Sequence, residues 1–160
     1  MHRLPIRSVL AARCALRCAP MAARSLRHLI RDATLAKDDR PTVIAMHHPP
    51  FATGIAHMDA LGLEGADALA QLLRQHPQVE RLLCGHLHRS IQCRFGGTLA
   101  STCPSPAHQV ALDLRADGPD CFVLEPPGYQ LHLWHAGRLV SHTCVVGAYA
   151  GPYRFREGMC

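Results

Sequence analysis

The sequence of 160 residues contains no asparagine, so any ligand set built on that carboxamide is excluded. No apolar run approaches the roughly 18 residues a membrane-spanning helix requires, and an integral membrane protein is not expected. No CxxC pair occurs among the eight cysteines, which removes the commonest cysteine-based zinc and redox motifs. Neither a phosphate loop nor a dinucleotide-binding glycine fingerprint is present. Acids are missing from the first 31 residues, and aromatic residues make up only 5% of the chain. Apolar residues nonetheless reach 48% and charged residues only 18%, a balance that predicts a packed core and not wholesale disorder.

The net charge of +5 is unevenly placed. Residues 1–40 carry nine Lys/Arg against three acids, and residues 41–160 carry eight against nine. The basic character therefore belongs to the first segment, where seven arginines precede Asp32. Arg13 and Arg17 interrupt its apolar stretch, so a secretory signal is not expected; an Arg-rich, acid-poor composition fits organellar targeting better. No aromatic residue is interleaved there for base stacking, so a nucleic-acid polymer is not expected as a partner. A solvated extension without a role is the competing reading. The expected organisation is a basic, poorly ordered extension over 1–31, a folded unit over 32–155 and a tail over 156–160. Without an export signal the cysteines are expected as free, mostly buried thiols in a reducing compartment, and the location as cytoplasmic.

From residue 30 the chain alternates helix and strand. Ile30–Lys37 reads as a short helix, and Thr42–Met46 (TVIAM) as a strand buried on both faces. Pro49 and Pro50 cannot extend a ladder, so His47 and His48 stand at the strand's carboxyl edge. Gly65–Gln75 carries leucines at helical spacing, and Val79–Cys84 (VERLLC) is a second strand. Strand, helix and strand in succession predict a βαβ unit with parallel pairing. Beyond Gly85, hairpins are expected around Gly96-Gly97 and Ala136-Gly137. A strand is expected over His108–Arg115 before an Asp117-Gly118 turn. The fold class is therefore α/β, a βαβ unit followed by antiparallel strands and hairpins resembling a meander.

Twelve histidines supply the chemistry. In GHLH (Gly85–His88), His86 and His88 stand at i and i+2, which in an extended chain puts both imidazoles on one side with Cα atoms about 6.5–7 Å apart. That spacing suits two metal ions about 3.5–4 Å apart. Carboxyl ends of strands in α/β sheets are where sites form, and alternation along a strand predicts that only one of His47 and His48 reaches a shared metal. His57, His76, His132, His135 and His142 are read as surface or hairpin residues. Arg89 is either a phosphate contact or a solvated strand-end cation.

The run PTVIAMHHPPF, Met58-Asp59, CGHLHR, HQVALDL and EPPGY resembles the second half of a calcineurin-like metallophosphoesterase. The branch it most resembles holds class III cyclic-nucleotide phosphodiesterases and bacterial glycerophosphodiesterases. The resemblance runs from about Asp32 to Phe155 and implies part of an α/β sandwich of two mixed sheets. It implies two divalent ions drawn from Fe, Mn, Zn or Co, with His47 and His86 on one and His88 on the other, and His108 close to the substrate phosphate. It further implies hydrolysis of a small phosphodiester by in-line attack of an activated water. The DxH, GD and GNHD motifs with which such enzymes begin are absent. The expectation is therefore a C-terminal half that binds metal weakly and turns over slowly, if at all. A non-catalytic module that forms homo-oligomers through exposed sheet edges and the C-terminal hairpin is the alternative.

Overall fold

The computed structural model describes residues 7–10 and 39–156. Its centre is a five-stranded sheet in the order β1-β2-β3-β5-β4. β1 is Arg7–Leu10, β2 Thr42–Met46, β3 Val79–Cys84, β4 Gln92–Phe95 and β5 Thr98–Thr102. The first three strands and β5 run parallel, and β4 folds back antiparallel on β5. The mixed α/β architecture expected from the pattern of elements is thus borne out, as is the βαβ unit. β1 was not anticipated: RSVL lies in an Arg-rich segment without strand patterning, and its pairing with β2 comes from the sheet edge that β2 offers. The helix expected over 30–37 lies outside the described residues.

Two short helices follow β2. α1 is Ala56–Asp59 and α2 is Ala66–Arg74. Gly65 caps α2 in a left-handed conformation, a geometry that costs glycine little. Asp67 in the first turn and Arg74 in the last complement the helix dipole. Leu69, Ala70 and Leu73 form the buried stripe. Leu69 and Leu73 join Ile44, Met46, Val79, Leu82, Cys84 and Ala100 in the main core. Full burial of a leucine or isoleucine contributes roughly 1.5–3 kcal/mol, so this cluster is what holds the helix to the sheet. Between Thr42 and Val43 the register slips, Thr42 facing Val79 and Val43 facing Arg81. Glu80 is therefore the extra residue of a bulge.

The second half is not one meander. The Gly96-Gly97 hairpin is absorbed into the parallel sheet, because Ala100 at its centre is fully buried in the main core. β6 (Gln109–Val110) and β7 (Phe122–Val123) form a two-residue ladder of their own. β8 (Gly128–His135) and β9 (Arg138–Val145) form a separate hairpin closed by Ala136 and Gly137. Both closing residues have positive φ, the form of turn whose twist matches the flanking strands. The strand expected over His108–Arg115 stops at Val110. Asp113 accepts hydrogen bonds from the backbone N–H and the guanidinium of Arg115, and such local bonding competes with a ladder. The Asp117-Gly118 turn is present, with Gly118 N–H bonded to the Arg115 carbonyl.

Candidate metal centre

β2 and β3 end side by side, Met46 opposite Cys84, so the residues that follow each strand emerge at one sheet edge. Gly85 N–H bonds the His47 carbonyl at 2.9 Å, fastening the two chain ends together. A Cβ at Gly85 would meet His47 Nδ1 at 3.4 Å, an ordinary contact distance, which shows how closely the two chain ends approach.

The GHLH segment is not extended as the spacing argument assumed. Leu87 N–H bonds the Gly85 carbonyl at 2.9 Å with His86 at φ 72°, a γ-turn of the strained, positive-φ kind. His88 is also left-handed, at φ 56°. Leu87 is buried with Ile55 and Val110 in a second small core. Burying Leu87 between them separates the two histidines into different neighbourhoods.

His86 joins His47 and His48. The ring centroids are 5.0 Å apart for His47 and His86, 4.3 Å for His48 and His86, and 4.9 Å for His47 and His48. One ligand nitrogen from each lies within 4.8 Å of the others. Both adjacent histidines bring their rings to the cluster, a placement that alternation along a strand does not give. Both lie beyond the end of β2, where strand alternation no longer applies. His48 was legible only as one half of a pair before two prolines.

Burial holds all three imidazoles below their ordinary pKa. His86 is brought down to about 4, by burial first and then by His48, His47 and His88. His47 is lowered by burial, then His48 and His88, and His48 by burial. The cluster is therefore neutral at pH 7, the state in which imidazole ligates metal. His86 Nε2 is buried with no hydrogen-bond partner, an arrangement that costs stability unless something binds there. These residues fit a borderline divalent cation of the zinc, cobalt or iron kind, which imidazole nitrogen suits. No carboxylate belongs to the cluster among the described residues.

His88 turns to His108 instead. Their ring centroids are 4.8 Å apart, and Nδ1–H of His88 donates to the His108 carbonyl at 3.1 Å. That bond leaves Nε2 as the acceptor nitrogen of His88. The His108 ring also meets Phe122. Arg89 is largely covered and is anchored through one terminal nitrogen. Its guanidinium donates to the Val110 carbonyl at 2.8 Å and to Glu125 at 2.9 Å, tying the loop to β6 and to the EPPGY segment. Asp59 is equally committed, accepting from Thr53 and Gly54.

Two other described histidines have ordinary neighbours. His57 faces Asp120 at 3.3 Å, and His132 bonds Ser141 across the β8–β9 hairpin. Among the described residues five cysteines are free, but only Cys84 is buried, so the expectation of mostly buried thiols is corrected. Its source was composition, which cannot place a residue on a strand or in a loop.

No family model matches the chain. Curated proteins do. A probable glycerophosphodiester phosphodiesterase of Arcobacter nitrofigilis is 44% identical over 119 residues, covering 73% of this chain and 44% of the relative. A probable cyclic nucleotide phosphodiesterase of Rhodopseudomonas palustris is 37% identical over 127 residues, covering 79% and 45%. A 3',5'-cyclic adenosine monophosphate phosphodiesterase of Pseudomonas aeruginosa is 34% identical over 114 residues, covering 69% and 40%. The chain thus spans less than half the length of these relatives. The resemblance to phosphodiesterases of the metallophosphoesterase kind is borne out over roughly the C-terminal part of the chain.

Proposed function

We propose, on the premise of that kinship, that the chain supplies part of a metal-dependent phosphodiester hydrolase acting on a small glycerophosphodiester or cyclic nucleotide. The observation that carries this reading is the convergence of His47, His48 and His86 around a buried, unpartnered His86 Nε2. His47 and His86 hold one divalent ion, with His48 beside them, and His88 serves the second. When bound, such ions polarise the phosphoryl oxygens and stabilise the charge that develops during displacement. The chain's own contribution is to keep the imidazoles neutral and oriented. His88 is aimed by its bond to the His108 carbonyl, and His108 lies beside it for contact with the phosphate.

A site of neutral nitrogens leaves the cations' charge uncompensated. The full chain is therefore expected to bind Co²⁺ weakly, seen as absorption bands in a titration, and to hydrolyse bis(p-nitrophenyl) phosphate slowly or not at all. His86→Ala is expected to weaken cobalt binding roughly tenfold or more. Two tightly bound ions with ordinary turnover, or cobalt binding indifferent to His86→Ala, would sink this reading.

A second reading is favoured by the outer face of the β8–β9 hairpin, where Tyr129, Leu131 and Leu133 are each at least half exposed beside Val140. An exposed apolar face of this kind suits a non-catalytic interaction module that forms homo-oligomers. A stable oligomer by sedimentation, unchanged by metal and without hydrolysis, would favour it.

A further inference from the structure

A pocket of about 190 Å³ adjoins the histidine cluster, with His86 common to both. Pro50, Phe51, Met58, Leu61 and Leu63 contribute to its wall. The wall is mostly carbon, and the carboxylate it contains is already engaged. Asp59 accepts from Thr53 N–H at 2.8 Å, Thr53 Oγ1 at 2.7 Å and Gly54 N–H at 2.8 Å. These bonds join the chain before α1 to its last residue, so the pocket is a built part of the fold.

We propose that this pocket receives the alcohol moiety of the phosphoester and selects a planar, largely apolar ring over a polyol. The assignment rests on the phosphodiesterase reading and deepens it. The volume decides the size of the guest: a dry cavity of roughly 150 Å³ accepts a single benzene ring, so this pocket holds one ring system and little more. Its chemistry decides the kind. A polyol entering it would surrender water bonds that the carbon wall does not replace, whereas a ring loses only apolar hydration. Because His86 belongs to both pocket and cluster, a ring seated here has its ester oxygen and phosphate directed toward the histidines. An aryl group meets these requirements, and glycerol does not.

The test uses the full chain with methionine methyls labelled for NMR, titrated with phenyl phosphate, glycerol phosphate and inorganic phosphate, each with and without Zn²⁺. Phenyl phosphate is expected to shift the Met58 methyl and to bind roughly tenfold or more tighter than glycerol phosphate. Leu61→Ser, at a rim position 43% exposed and so not needed for folding, is expected to erase most of that preference while leaving inorganic phosphate binding unchanged. Equal affinities, or phenyl phosphate binding without a Met58 shift, would overturn the pocket assignment and leave the hydrolase reading standing. Zn²⁺ that fails to perturb the histidines would instead overturn the hydrolase reading. A persisting Met58 shift with phenyl phosphate would then still support a ring-binding pocket.

Discussion

At the scale of single residues, backbone conformation and close approach decide more than residue type. His86 and His88 adopt left-handed conformations that histidine visits at a cost, and these put the two rings in different neighbourhoods. Gly96 is the structural counterpart. It has φ +57°, and a Cβ there would sit 2.8 Å from Leu73 Cβ and 3.1 Å from the Ala70 backbone. Gly96→Ala must push α2 away from the β4–β5 turn, and is expected to cost about 1–3 kcal/mol in urea unfolding. Gly97, at φ +92°, meets nothing within 4 Å. Its alanine variant should lose only the conformational part, about 1 kcal/mol. Equal unfolding midpoints for the two variants would show that the contact with α2 is not what Gly96 protects.

At the scale of elements, β3 is the strand on which the sheet depends, since it pairs with β2 and β5 and carries Cys84 into the core. Burial pushes the Cys84 thiol up to about 12, so the folded state keeps it protonated while the unfolded chain ionises it near pH 9. Below pH 9 both states hold the proton and the residue contributes no pH dependence. From pH 9 toward 12 the unfolded state releases a proton that the folded state retains, and stability falls by about 1.4 kcal/mol per pH unit from this group. The expected outcome is a shallower loss of stability between pH 9 and 11 in Cys84→Ala than in the parent chain. Parallel slopes would show that the thiol titrates normally. In native protein, alkylation should reach the exposed Cys121 and spare Cys84 until unfolding.

At the scale of the whole molecule, the β8–β9 hairpin is joined to the central sheet by a small polar network. Ser141 receives the Arg81 guanidinium from β3 and bonds His132 across its own hairpin. Gly128 N–H adds a bond to the Ser105 carbonyl, and a Cβ at Gly128 would meet the Cys144 carbonyl at 2.9 Å. Ser141→Ala removes both side-chain partners at once and leaves Arg81 part-buried without one of them. The expected cost is about 1–3 kcal/mol, with faster hydrogen exchange confined to the hairpin. Exchange that rises equally in β2 and β3 would show that the hairpin unfolds only with the sheet.

Thr42–Met46, Ala66–Arg74 and Val79–Cys84 were legible in the sequence because each carries its own periodicity and its own stop signals. Proline ends one and glycine opens another, and the hydrophobic stripe needs no partner to be recognised. The two glycine-containing hairpin turns were legible for the same local reason. Arg7–Leu10 was not, because an edge strand takes its conformation from the neighbour it pairs with. Leu112 and Leu114 alternate as a strand would, yet they are exposed, since alternation predicts burial only where an opposing strand exists. In the site, the sequence alone determined that histidines follow two strands of one parallel pair. Only the tertiary structure decided that His48 joins His47 and His86, that His88 turns to His108, and that Arg89 is held by Glu125. Those choices depend on turns beyond the strand ends and on a buried Leu87, where contacts between distant residues override the local alternation of the chain.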